Sequence, residues 1–219
     1  LGSASTFRVT QPVGAVAFFV SGVAVATVGP GETWEVVVAG GVVTAQPITP
    51  TLMAPMVLTT GNGVVTLGFT PGQPTKITAA SISVAGRRYQ RGRLVIAPRS
   101  STADLVVDQI SMQEFLYGLG EVPGTWPVEA LRAQVVAGRS YAAQRLTRPR
   151  GPLYDLSAIM DEAYNGAEPE LATGGDRWVQ AVDDTNGLVL TYGGQPIQAF
   201  YSSASGGMSE RSDYVFVAP

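Results

Sequence analysis

The 219-residue chain has no cysteine, no histidine and a single lysine, Lys76, and only 14% of its residues are charged. Without cysteine there is no thiol nucleophile, disulfide or thiolate metal site. Without histidine there is no Ser-His-Asp triad, imidazole base or histidine ligand for zinc. Acid–base chemistry then falls to Asp, Glu, Tyr, Lys and Arg, with carboxylates as the first candidates. A Ser-Lys pair would need Lys76, which has no motif around it. Phosphate-loop and dinucleotide-binding glycine patterns are also missing, because the Gly pairs fall in hairpin turns. Long apolar runs are scarce. Residues 13–28 carry no charge and, with Arg8 before and Ala24-Val25-Ala26 at the end, mimic a signal peptide. The run alternates, however, and breaks at Ser21-Gly22, which predicts a hairpin of strands 15–20 and 23–28; a membrane span would need ~20 apolar residues.

What is present points to a packed, turn-rich domain. Hydrophobic residues make up 45% of the chain, enough for a substantial core, and 26 Gly with 15 Pro exclude an all-helical bundle. Net charge is −3, unevenly distributed: residues 1–110 hold seven bases against four acids, residues 111–219 seven bases against thirteen acids. Scattered bases on an acidic chain exclude a nucleic-acid-binding surface.

Up to about residue 108 the pattern is β. Short runs at 33–38, 42–45, 64–69, 77–84, 92–97 and 105–107 alternate with Gly and Pro clusters, and the proline-rich stretch 47–55 reads as an irregular connection. From residue 112 the character changes. Residues 112–117 predict a short helix stopped by Gly118 and Gly120. Residues 127–146 predict a long one, with Thr125 as N-cap and a single apolar stripe through Val128, Leu131, Val135, Ala142 and Leu146. Residues 176–186 predict a third helix, followed by a hairpin of 188–192 and 197–201 around Gly193-Gly194. The expected fold class is α+β: a small β-barrel or sandwich part, residues 1–108, followed by a helical and hairpin part, residues 109–219, that carries the cleft.

Most acids in the second part, together with Asp104 and Asp108, read as solvated; Glu168, Glu170, Asp183 and Asp184 belong here, and Glu129 complements the start of the long helix. Glu121 differs. It lies in Leu119-Gly120-Glu121-Val122-Pro123, between two helices and close to Trp126. A carboxyl partly desolvated in such a junction is raised in pKa, as a general acid near neutral pH requires; a capping or ion-paired Glu is the alternative.

The stretch EFLYGLGEVPGTWPVEALRAQVVAGRSYA, residues 114–142, strongly resembles the core motif of the stage II sporulation protein D (SpoIID) / LytB amidase-enhancer family. Residues 88–92 resemble its Y-R-G strand, residues 185–192 its T-x-G-x-V-L-x-Y block, and residues 199–207 its block ending in S-x-S-G-G. The resemblance implies an extracytoplasmic protein of the cell wall or a secreted one, acting on peptidoglycan glycan strands as a lytic transglycosylase, with the family's catalytic Glu falling on Glu121. The other activity in the family is enhancement of a cell-wall amidase, which would make this a non-catalytic binding module with an amidase as partner. A lytic reaction uses the sugar's own C6 hydroxyl as nucleophile, so one carboxylate suffices. Gln134, Arg139, Tyr141, Ser203, Ser205 and Gly206 are the substrate-binding candidates, with Trp126 as a further stacking residue; Gln134 and Arg139 lie about 140° apart around a helix and cannot both face one cleft squarely. Some relatives carry zinc ligands in the block matching residues 154–166, where this chain has Met160, Asp161 and Glu162, so neither metal nor other cofactor is expected. Ser202 stands where the family usually has His. The start at Leu1 rather than Met and the stop at Pro219, where the family usually continues, suit a trimmed form or fragment.

Overall fold

The computed structural model describes residues 2–11, 15–50, 52–61, 63–69, 82–84, 86–202 and 206–208. The strands come first: β1 (Gly2–Ala4), β2 (Thr6–Gln11), β3 (Val16–Val20), β4 (Val23–Val28), β5 (Glu32–Ala39), β6 (Val42–Thr49), β7 (Met56–Thr59), β8 (Val65–Phe69), β9 (Ile82–Val84), β10 (Arg87–Tyr89), β11 (Arg93–Pro98) and β12 (Ala103–Asp108). They form two six-stranded antiparallel sheets, in the orders β1-β12-β11-β8-β3-β4 and β10-β9-β2-β5-β6-β7. Burial alternates along β2, β5 and β11, as a sheet with one face in a core requires. Phe7, Val9 and Val36 from one sheet and Phe18, Leu67 and Ile96 from the other meet in a single cluster. The fold is therefore α+β with a β-sandwich part, as expected.

The 15–28 run is the predicted hairpin, turning through Ser21 (φ 51°) and Gly22 (φ 80°), left-handed values that match the twist of two-residue hairpin turns. Four strands escaped the sequence pattern: β1, β7, β10, foreseen only through the resemblance of residues 88–92, and most notably β2, whose apolar alternation is carried by only Phe7 and Val9. The irregular connection begins later than expected. Pro47 sits inside β6, opposite Trp34 beside a register shift that accommodates its missing N–H. Of the expected 77–84 strand, residues 77–81 lie outside the described residues.

The helical part holds α1 (Met112–Tyr117), α2 (Val128–Leu146), α3 (Glu168–Leu171) and α4 (Gly175–Asp184), then a short hairpin of β13 (Thr191–Tyr192) and β14 (Gln195–Pro196). The predicted hairpin is present but shorter, and α3 was not foreseen. α2 is capped by Pro127 rather than Thr125: Pro127 keeps an extended ψ of 140°, and a residue preceding proline is pushed out of helical geometry, so the helix starts after it. The single stripe expected on α2 is also corrected. Gly138 to Ala142 are all buried, which places the middle of α2 inside the structure on every side, whereas Leu146 is exposed. Leu131 and Val135 pack with Leu116, Leu119, Trp178, Ala181 and Val182 into a second cluster shared by α1, α2 and α4. No helix among the described residues is long and apolar enough to cross a membrane.

The β-rich and helical parts are joined by packing. Ile110, Phe115 and Ala158 lie against the strand core, and Tyr164 belongs to it. Tyr164 stacks between Phe115 (5.4 Å) and Tyr89 (6.5 Å). Ala167 donates its N–H to the Arg88 carbonyl, so the outer strand β10 is covered by the loop leading to α3.

Candidate active site

Glu121 is positioned by how α1 ends. Ser111 and Glu114 close a reciprocal capping box at its start, and Gly118 and Gly120 bring the exit segment flush against residues 163–166. A Cβ on Gly118 would lie 2.4 Å from the Tyr164 ring and 2.7 Å from the Gly166 carbonyl, so only glycine fits there, and one on Gly120 would lie 2.2 Å from the Asn165 amide and force that side chain to move. The two segments bond as a short ladder, Gly120 N–H to Ala163 C=O (2.9 Å) and Asn165 N–H to Gly118 C=O (2.8 Å). Leu119 turns into the core, and the ladder's register leaves Glu121 beside Ala163, whose N–H donates to Glu121 Oε1 at 2.6 Å. Among the described residues Glu121 joins no ion pair, so the ion-paired alternative does not hold. The capping alternative does not hold either, since the amide it accepts from lies in a loop.

Glu121 opens onto a groove of about 560 Å³ between residues 120–125 and residues 165–173, with Trp178 in its wall. The groove's two walls touch backbone to backbone at Gly124 and Gly174, where a Cβ on either would lie within 2.7 Å of the other's main chain. Gly174 also has φ 81°, a conformation open to glycine at little cost. Arg177 donates to the Thr125 carbonyl (3.1 Å) and fastens the same junction.

Behind Glu121 stands a second carboxylate, Glu162, only 3% exposed. It fits because α2 has glycine at 138, where a Cβ would meet Glu162 Oε1 at 2.9 Å and Leu119 at 2.8 Å. Tyr201 Oη donates to Glu162 Oε1 at 3.0 Å and lies near the Glu121 carboxyl as well. Burial pushes the Glu162 carboxyl up to about 8, with the Tyr201 hydrogen bond opposing and the neighbouring charges of Glu121 and Asp161 adding to the rise. The Tyr201 hydroxyl is raised by burial and then by the two glutamates. A cavity of about 270 Å³ between β12 and residues 153–164 also touches Glu162.

Asp161, next in sequence, has the opposite environment. Its side chain is fully buried, yet it accepts from Tyr141 Oη (2.8 Å), Arg145 Nε (3.2 Å), Arg150 (2.7 and 2.8 Å) and the Ser157 N–H (2.9 Å). Burial alone would raise it, but these donors, led by Arg150, hold it well below the usual carboxylate range. This cluster ties the 154–162 loop to α2. Among the described residues no group of acids is arranged to hold a metal ion.

The remaining sequence candidates divide by helix face. Gln134, Gly138 and Tyr141 lie on one side of α2, toward Glu162 and Asp161. Gln134 Nε2 is buried and has no partner among the described residues. Tyr141 is buried, bonded to Asp161 and packed edge-on to Phe200 at 6.3 Å, so its ring offers no free stacking face. Arg139 needs correction as a substrate-binding residue. It is 3% exposed and donates to the Thr185 (2.7 Å), Leu188 (3.1 Å) and Val182 (3.3 Å) carbonyls, which it caps at the end of α4. The angular offset from Gln134 turns it to the other side of α2. Trp126 is 39% exposed beside the groove segment, and Gly206 lies on the surface with φ 64°. Ser203 and Ser205 lie outside the described residues. Glu170, read as solvated, is instead a buried partner of Arg91, because α3 turns it toward β10. Glu162 and Tyr201 were missed as site residues. Both sit inside stretches matched by motif, but neither lies in a periodic element that would reveal burial.

Comparison with known proteins gives a consistent family. Residues 100–192 match the family model for Stage II sporulation protein (SpoIID). Over 152 residues the chain is 30% identical to Stage II sporulation protein D of Bacillus subtilis, covering 62% of this chain and 44% of that protein. Over 96 residues it is 38% identical to the amidase enhancer of the same organism, covering 44% of this chain and 12% of that protein. An uncharacterised protein of Brachyspira hyodysenteriae is 30% identical over 131 residues, 57% of this chain and 34% of its own length. The chain thus spans less than half the length of each of these relatives. The region that builds Glu121, α2 and the groove is the part of the chain, residues 100–192, that matches the Stage II sporulation protein (SpoIID) family.

Proposed function

We propose that this chain acts on bacterial cell-wall peptidoglycan, outside the cytoplasm, as a lytic transglycosylase that cleaves glycan strands between MurNAc and GlcNAc with Glu121 as its single acid/base. The observation that carries this is the state of Glu121: held by one backbone amide, without a cation among the described residues, and lining an open groove of about 560 Å³. A protonated Glu121 gives its proton to the glycosidic oxygen as the C1–O bond breaks. The resulting carboxylate takes the proton of the muramyl C6 hydroxyl as that oxygen closes on C1, leaving a 1,6-anhydro end and a restored acid. No histidine, activated water or second nucleophile is required, in keeping with the composition. Gln134 from α2, Trp126, Ser203, Ser205 and Gly206 make up the proposed set of sugar contacts.

The test is mass analysis of products from glycan strands lacking stem peptides. Wild type is expected to give anhydro-muramyl ends and Glu121→Gln at least ~100-fold fewer; equal yields would remove Glu121 from the reaction. A second reading, that the chain enhances a cell-wall amidase without cutting glycan, draws on the 38% identity to the Bacillus subtilis amidase enhancer. It predicts no glycan cleavage and an amidase stimulation that survives Glu121→Gln.

A further inference from the structure

Glu162 is the buried carboxylate that the single-Glu reaction leaves unused. Two features decide where charge can reside between it and Glu121. Glu121 Oε1 receives the Ala163 N–H at 2.6 Å, so a charge there is met by a fixed donor. Glu162 Oε2 is buried without any donor among the described residues, so a charge there goes uncompensated. Tyr201 Oη bonds Glu162 at 3.0 Å and lies near Glu121, between the two carboxyls in the proposed chain. The arginines of the neighbouring loop and helix, Arg145 and Arg150, are engaged by Asp161 and leave the pair to itself.

We propose that Glu121 and Glu162 form a one-proton pair bridged by the Tyr201 hydroxyl, in which Glu162 and Tyr201 are positioning residues that keep Glu121 supplied with its proton. The role of this pair in catalysis rests on the lytic reading of Glu121; its existence as a proton-sharing pair does not. In the resting state the proton sits on Glu162. With Glu162 protonated, the 3.0 Å bond in which the Tyr201 hydroxyl otherwise donates to Glu162 reverses: the Glu162 O–H donates to Tyr201 Oη, and the phenol O–H turns to the Glu121 carboxylate. Moving both protons one step along this chain leaves Glu121 neutral and Glu162 ionised, with Tyr201 unchanged in composition. Glu121 then protonates the leaving oxygen and takes the C6 hydroxyl proton in return, so the pair holds one proton before and after turnover. The burial-raised pKa of Glu162 agrees with its being the resting proton carrier near neutral pH. The charged and titratable groups facing it are Glu121 from the α1–α2 segment, Asp161 from its own loop and Tyr201 from the segment after β14. Asp161 is fixed as a carboxylate by its arginines, which leaves Glu121 and Tyr201 as the groups that respond.

The experiment follows glutamate side-chain carboxyls by 13C NMR against pH in substrate-free protein, for wild type, Glu162→Gln, Glu121→Gln and Tyr201→Phe, alongside pH–rate profiles on denuded glycan. Wild type is expected to show one carboxyl titrating well above the others. That signal should be absent in Glu162→Gln and shifted down by about one pH unit or more in Glu121→Gln, where the like charge is removed. In Glu162→Gln the alkaline limb of cleavage should move to lower pH, with roughly tenfold loss near neutrality that recovers on acidification; a merely structural role would lower the rate evenly across pH. Tyr201→Phe keeps the test open if Glu162→Gln fails to fold, since it should bring the two titrations closer to independence. A wild type without a late-titrating carboxyl, or an alkaline limb identical in wild type and Glu162→Gln, would overturn the pair. If wild type cuts no glycan, the lytic reading fails and the NMR titration alone still decides the pair.

Discussion

Gly138 shows how one residue type opens a site. Any side chain there would press on Leu119 and Glu162, the two groups that set the position of Glu121 and its neighbour. The carboxyl it admits has a consequence for stability. Glu162 holds a proton in the folded protein up to about 8, whereas the unfolded chain releases it near 4.5. The folded state therefore binds more protons than the unfolded one within that window, and stability falls as pH rises through it. Urea midpoints measured from about pH 5 to about pH 8.5 should decline in wild type by an amount equivalent to roughly 3 kcal/mol and stay flatter in Glu162→Gln. Asp161 acts with the opposite sign. Its pKa is depressed, so its contribution is present above 3.8 and is lost as pH falls further. A wild-type profile that rises from pH 5 to 8 would contradict the assignment to Glu162.

At the scale of elements, α2 is the member that organises the site, since different faces of it serve different purposes. The face carrying Gln134, Gly138 and Tyr141 looks toward the carboxylates, and Ser140 accepts the Leu190 N–H at 2.7 Å to hold the chain before β13. Arg139, on another face, gathers the last carbonyls of α4, an arrangement that favours a cation at a helix C-terminus. Replacing it by methionine keeps much of the volume but leaves those carbonyls buried without a donor. Arg139→Met should cost about 3 kcal/mol in urea unfolding, while glycan cleavage per folded molecule stays within about twofold of wild type. A large loss of cleavage in well-folded protein would return Arg139 to the substrate site. Trp178 gives α4 its other anchor, donating from its indole to the Leu116 carbonyl (3.0 Å) and so closing the end of α1.

For the whole molecule, the β-sandwich serves as the mount for one groove wall. β10 docks on the loop and helix that carry Glu168 and Pro169 through Arg88 with Glu168 (2.9 Å), Arg91 with Glu170, and Gln90 with Glu170 (3.0 Å), while Arg91 also covers the Tyr117 ring at 4.6 Å. The Arg91–Glu170 pair is largely buried, so removing one partner strands the other. Glu170→Ala should lower stability by about 3 kcal/mol and, because α3 borders the groove, raise KM for glycan more than it lowers kcat. Unchanged KM in the folded variant would show that the sandwich does not hold the groove wall.

Much of this was legible in the residues themselves. The 15–28 hairpin, the bounds of α1 and the α+β class follow from alternation, glycine placement and helix stops, which act over a few residues. The motif around Glu121 and the absence of histidine and cysteine limited the chemistry to carboxylates. Neither the partner of Glu121 nor the duty of Arg139 could be read this way. Asp161 and Glu162 are adjacent acids in one aperiodic loop, yet one is held ionised by two arginines and the other has no cation among the described residues. That difference is set by α2 and the segment after β14 packing around them, residues that are distant in the chain. Local sequence fixed which groups could do chemistry; tertiary packing decided which of them are charged, because burial and neighbouring charges are properties of the folded surroundings.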